Sequence, residues 1–376
     1  MEKLASVTPS PGHGSGRLTS RLRLLLVGSA VWLAASSSVL AGNFLYLSVP
    51  GDKRIAVYAR DGQTGALTAV QQLRTTGEPA ALATDPQHRF LFASYRPEGQ
   101  LAAFRRDPSS GQLTLVNVVD AGSDPAHLSV DASGQWLLAA YYVAAQVTVH
   151  RIARDGSLSA TAHQNLRTRE KAHAIVLDRT QRVALVPHTG PNAIFQFAFD
   201  ARQGQLTALD PLVFTTPPGQ GPRHAAFHPR LDVVYINNEQ GNSVTAYACS
   251  AAAPRLQPLG TASTLPGDFS GTNATAELKV HPSGRWAYCA NRGHDSLAWF
   301  TLDATTGTLT RGGIEPTEPT PRSFDLTSDG QFLYAGGESS GKLAGYRVSA
   351  DRGTLERFGT WEIGPRLWWV LAIEER

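Results

Sequence analysis

The sequence predicts an all-β protein: a seven-bladed β-propeller of four-stranded antiparallel blades, closed by its N- and C-terminal strands. Three observations predict it. First, one unit recurs along the chain. It opens with Pro or Ala, continues as an alternating apolar run to Asp or His, turns, and returns as a second strand. Its anchors are Glu78-Pro79-Ala80, Asp124-Pro125-Ala126, Lys171-Ala172-His173, Gly221-Pro222-Arg223, Thr275-Ala276-Glu277 and Thr320-Pro321-Arg322. Their spacing is roughly 46–53 residues, the period of propeller blades. Second, the remaining unit is split between the chain ends. Gly364-Pro365-Arg366 to Ile373 reads as a first strand and Phe44 to Val49 as a second. Sharing one blade between the two ends closes the ring and removes free sheet edges. Third, short runs of β-branched and aromatic residues alternate with turn residues, and no long helical period competes.

In chain order, a leader comes first. Arg17, Arg21 and Arg23 precede the apolar run from Leu24 to Ala35, and Val39-Leu40-Ala41 has the small-residue pattern of a cleavage site. Residues 1–41 are expected to be a secretory signal peptide cut before Gly42, leaving the propeller over residues 43–376 in the periplasm or outside the cell. No other segment is a candidate membrane span, so no stable membrane insertion is expected after cleavage. Glu2, Lys3 and the three arginines give the leader the whole +3 of the chain. The mature protein is therefore close to neutral, the basicity of the whole chain says nothing about nucleic acid, and no nucleic-acid partner is expected. About 335 residues follow the leader, a length that a ring of small sheets accommodates as one domain.

The blades come next. Phe90 to Tyr95 and Val233 to Asn238 read as second strands, Ser243 to Tyr247 and Ser296 to Phe300 as third strands. Fourth strands follow glycine turns, as at Gly111 and Gly307, where glycine allows positive φ without steric cost. Leu265 to Asn273 is a surface-loop insertion before the sixth blade. Cys249 and Cys289 fall in neighbouring blades. An oxidising compartment would permit a disulfide, but two separately buried thiols fit their strand-like surroundings better. Trp361, Trp368 and Trp369 read as packing at the closure.

The register places two rings of strand ends at one mouth of the central channel. First strands begin with Ala80, Ala126, His173, Arg223, Ala276, Arg322 and Arg366. Second strands end with Arg96, Tyr142, Thr189, Glu239, Arg292 and Glu338, with Pro50 in the split blade. Arginines at strand ends ordinarily pair with carboxylates of the next blade, and a lone histidine is ordinarily structural. Their convergence on one rigid opening is what points to a ligand site. Arginine grips carboxylate or phosphate in a bidentate way, so the mixture suits an anionic or polyhydroxylated small molecule.

Gly221-Pro222-Arg223-His224 through His228-Pro229, Asn238-Glu239, Leu265-Pro266-Gly267-Asp268, His281-Pro282-Ser283-Gly284 and above all Ala290-Asn291-Arg292-Gly293-His294-Asp295 resemble the lactonase seven-bladed β-propeller family. That family includes bacterial 6-phosphogluconolactonases and the fungal carboxymuconate lactonizing enzyme. The resemblance implies hydrolysis of a sugar or aldonic-acid lactone, with catalytic residues at His173, Arg223, Glu239 and Arg292. His224, Arg322, Glu338, Arg96 and Tyr142 are expected to bind substrate. His173 or Glu239 would be the general base, and Arg223 and Arg292 would hold the oxyanion. The scheme requires no metal and no cofactor. The eleven histidines form no spaced ligand set with Cys or Asp, and neither a Gly-x-Ser-x-Gly elbow nor a phosphate loop is present. Two alternatives stay open on the sequence: a muconate-type lactonizing cycloisomerase, and a non-catalytic propeller that binds a ligand or a protein.

Overall fold

The computed structural model describes residues 42–250 and 253–374. The leader and its cleavage after Ala41 lie outside the described residues. Among the described residues there are seven sheets of four antiparallel strands, arranged in a ring. The closing blade is the predicted one. Its innermost strand, Trp369–Glu374, pairs with Asn43–Val49, which continues to Arg54–Arg60 and Leu67–Arg74. The sequence places the start of that innermost strand too early, because Arg366 precedes it in a left-handed turn with φ of 60°.

In five of the units the recurring Asp or His caps the turn between first and second strands, and in the blade opened by Thr320, Thr327 takes that place. Asp85, Asp131 and Asp178 accept the backbone N–H of Phe90, Trp136 and Val183 at 2.7–2.8 Å. His228 does the same through Nδ1 for Leu231, and its Nε2 donates to the Gly284 carbonyl of the next blade at 3.0 Å. His281 repeats that reach to the Gly330 carbonyl. These histidines are structural, and their tautomer follows from the two bonds each makes.

Apolar side chains fill the gaps between sheets. Leu138, Ala140 and Val149 of the third blade, for example, pack on Ala184, Val186 and Phe195 of the fourth. Second-strand tyrosines add polar clamps from blade to blade. The hydroxyls of Tyr235, Tyr288 and Tyr334 donate to the carbonyls of Gly307, Gly353 and Gly65, and that of Tyr46 donates to the carbonyl of Gly111. The equivalent positions in the second, third and fourth blades hold Phe92, Leu138 and Leu185, all fully buried. Cys249 and Cys289 are separate buried thiols, not a disulfide. No helix among the described residues is long and apolar enough to cross a membrane.

Candidate active site

The mouth is built by an irregularity that sequence alternation does not reveal. The pairing of first with second strand slips near the start of the innermost strand in five blades, including the slip between Pro222 and Ala225. A bulge of this kind re-aims side chains. In the fifth blade it turns both Arg223 and His224 towards the channel. Asn237 fixes it: its Oδ1 accepts the His224 N–H at 2.8 Å and its Nδ2 donates to the Ala276 carbonyl of the next blade at 3.0 Å.

Arg223, Glu239 and Arg292 form one group. Arg292 Nη2 lies 2.6 Å from Glu239 Oε1, and Arg223 Nε lies 3.8 Å from Glu239 Oε2. Arg223 is only 2% exposed. Burial, and then the charge of Arg292, bring its guanidinium down to about 9. Burial pushes the Glu239 carboxyl up, but Arg223 and Arg292 outweigh that and hold it below its ordinary value. His173 stands beside this group. Its ring meets those of Tyr142 and His224 edge-on at 5.6 and 5.2 Å. Burial, reinforced by Arg223, His224, Arg96 and Arg322, holds its pKa well below the ordinary imidazole value. It is therefore neutral at neutral pH. Its Nδ1 is buried without a hydrogen-bond partner.

Four of the remaining predicted residues, Arg96, Tyr142, Arg322 and Glu338, ring the same opening. Arg96 pairs with Asp124 at 3.1 Å and stacks over Tyr142 at 5.2 Å. Arg322 pairs with Glu338 at 3.2 Å. His224 lies beneath Arg223 rather than at the rim, and is buried. Arg366 is a correction. The pairings Ser48↔Trp369 and Gly336↔Ser323 give the register position of Arg322 to Trp368 in the closing blade. Arg366 sits at the rim, half exposed and paired with Glu78 at 3.0 Å. Of the three tryptophans read as closure packing, Trp361 packs on an apolar cluster, but Trp368 and Trp369 are channel residues. The Arg322 guanidinium lies 3.6 Å from the centre of the Trp368 ring, and Trp369 meets the rings of His127 and His224.

Below the mouth lies a polar floor absent from the sequence reading. His127, His224, Glu277 and Trp369 occupy the position one residue beyond the first ring, and Lys279 pairs with Asp325 a layer deeper at 3.2 Å. A cavity of about 380 Å³ is lined by His127, His224, Glu277, Lys279 and Trp369. Burial depresses His127 to about 3 and His224 to about 4. Glu277 is pushed up by burial, yet His224 and Lys279 bring it to about 2. No group of three His, Cys, Asp or Glu among the described residues is placed to hold a metal.

The profile of the family described as "Lactonase, 7-bladed beta-propeller" matches residues 38–371. The chain belongs to the lactonase seven-bladed β-propeller family. Among the curated relatives in this lactonase family, the 6-phosphogluconolactonase of an Enterobacter species is 30% identical over 88% of this chain and 85% of its own length. That of Erwinia tasmaniensis is 29% identical over 88% and 84%. Among solved structures, the periplasmic gluconolactonase of Pseudomonas aeruginosa superposes with a TM-score of 0.81 at 24% identity, covering 89% of this chain and 99% of that one. At that identity it speaks for the shared fold.

Proposed function

We propose that this chain hydrolyses a sugar or aldonic-acid lactone at the mouth formed by His173, Arg223, Glu239 and Arg292. One observation carries the reading: a neutral, depressed-pKa histidine faces an arginine pair whose carboxylate partner is already engaged. Membership of the lactonase family supports it. His173 takes a proton from water as the water oxygen bonds to the lactone carbonyl carbon. Arg223 and Arg292 stabilise the oxyanion that forms. The ring C–O bond then breaks, and the leaving alkoxide takes the proton back from His173, leaving an open-chain hydroxy acid that loses its carboxyl proton to solvent. Glu239 is the poorer base. Two guanidiniums hold it ionised and lower its basicity, and its role is to fix their planes.

The charge balance of the mouth favours an unphosphorylated substrate. Arg96, Arg223, Arg292, Arg322 and Arg366 face Asp124, Glu239, Glu338 and Glu78, so nearly every guanidinium has a carboxylate partner. A phosphate dianion would have to displace those carboxylates. A polyhydroxylated neutral lactone can bond to them as they stand. The test is a panel of sugar δ- and γ-lactones, with and without a 6-phosphate, after subtracting spontaneous ring opening. Glucono-δ-lactone should be turned over at least as well as its 6-phosphate. Activity confined to the phosphorylated lactones would defeat the charge argument, and none on any lactone would defeat the hydrolase reading.

The pH profile is a second expected outcome. The base works as neutral imidazole, so rate is lost as pH falls through the pKa of His173. Burial and its cationic neighbours have moved that pKa down. The kcat/KM curve should therefore stay level from pH 8 through the ordinary imidazole range near about 6.5 and bend only at more acid pH. A half-maximal point at or above the ordinary histidine value would assign the base elsewhere.

We propose further that residues 1–41 are a cleaved export signal and that the propeller works outside the cytoplasm. The basic, apolar and small-residue order of the leader supports this. N-terminal sequencing of the protein from cells should begin at Gly42; an intact Met1 terminus on cytosolic protein would overturn it.

A further inference from the structure

We infer that Glu277, acting through His224, is a positioning residue that sets the guanidinium of Arg223 for the lactone carbonyl; this rests on the lactonase reading above. The three groups form a chain across the junction of the fifth and sixth blades. His224 Nδ1 lies 2.9 Å from Glu277 Oε1, and Arg223 Nη1 lies 3.2 Å from His224 Nε2. Arg223 Nη1 also donates to the Ala276 carbonyl. All three side chains are buried.

Hydrogen-bond chemistry fixes the direction of the chain. An ionised carboxylate only accepts, so the single N–H of a neutral His224 is on Nδ1 and points to Glu277. Nε2 then carries a lone pair and accepts from Arg223. Both Nη1 hydrogens of Arg223 are thereby committed inwards, one to His224 and one to Ala276. The Nη2 group, which makes no hydrogen bond among the described residues, is left for the substrate. Without Glu277 the imidazole is free to carry its proton on Nε2. An N–H would then oppose the N–H of a buried guanidinium, and Arg223 would have to turn away. A misplacement of about 1 Å at such a donor costs on the order of 10²-fold in rate. The carboxylate is tolerated in the channel because His224 and Lys279 compensate its burial. A buried carboxylate with no reacting atom in reach thus has a function: it selects the tautomer of its neighbour.

The experiment uses the full propeller with Glu277→Leu and Glu277→Gln. The leucine variant should lose about 10–100-fold in kcat with KM little changed, since the lost contact matters most to the developing oxyanion. The glutamine variant keeps an amide oxygen that can accept from Nδ1–H, and should stay within about threefold of the parent. Nitrogen-15 NMR of the parent at neutral pH provides a readout that does not depend on any variant folding. His224 should appear as a neutral ring protonated on Nδ1 and bare on Nε2. A parent His224 protonated on Nε2, or on both nitrogens, overturns the inference, as does a folded Glu277→Leu protein with parental kcat. A parent that opens no lactone sinks the lactonase reading instead, and the NMR result then decides the Glu277–His224–Arg223 geometry by itself.

Discussion

His173→Ala is expected to lower kcat on the best lactone of the panel by about 10²–10⁴-fold, the usual worth of a positioned general base, with little change in melting temperature. Both halves follow from its surroundings. The ring stands 5.2 Å from His224, against the arginine group, and His224 is already bonded to Glu277 and Arg223, which leaves His173 as the imidazole able to take a proton. Its stability contribution is small because its Nδ1 has no hydrogen-bond partner to leave orphaned, and because it lies ahead of the innermost strand of its blade, Val176–Leu177, outside the apolar cluster between the third and fourth blades. The measurement is steady-state hydrolysis with parallel thermal melts. A variant as fast as the parent would move the base away from His173, and one that melts far below it would make the residue structural.

Deleting Gly364 to Arg376 is expected to abolish cooperative folding. That segment contributes the innermost strand of the closing blade, and its removal leaves Asn43–Val49 as an unpaired edge. It also removes the buried side chains of Leu367, Trp369, Val370 and Ile373. At about 1.5–3 kcal/mol for each buried apolar side chain, their loss rivals the roughly 5–15 kcal/mol that holds a typical domain together. The deleted chain should aggregate or lack a melting transition in calorimetry. A soluble product that melts like the parent would mean that the ring does not depend on this seam.

The ring, its blade count, its seam and both rims of the mouth were legible in the sequence, because each rests on a repeated register. Arg96, Tyr142, Glu239, Arg292 and Glu338 follow second strands in every case, and those strands are regular. The first ring failed once. Gly364-Pro365-Arg366 imitates Gly221-Pro222-Arg223, but the strand register runs two residues later, so the ring position falls to Trp368. The floor was hidden for a different reason. A bulge presents two successive side chains to the channel where strict alternation allows one, and the partner of His224 is 53 residues away in the next blade. A trace was present: His127, His224 and Glu277 interrupt the apolar run of their strands at the same register position, where Ala81 and Ala174 stand in other blades. Reading that column across blades would have found the floor.

The tyrosine clamps divide the ring into two arcs. The fifth, sixth, seventh and first blades are tied forward to their neighbours by a hydroxyl on a glycine carbonyl, and they carry Arg223, Glu239, Arg292 and Arg322. The second, third and fourth meet their neighbours through Phe92, Leu138 and Leu185 at the same place, and they carry Arg96, Tyr142 and His173. The arcs differ in the kind of tie and not in its presence. Asn117 and Gln164 each exchange two hydrogen bonds with the backbone of the next blade, at Leu158 and Leu206, Trp136 Nε1 donates to the Ala201 carbonyl, and Asn192 Oδ1 accepts the Gly221 N–H. A ring stitched at every junction holds the anion-stabilising and proton-accepting walls of the mouth in one frame, so a lactone meets a preset socket.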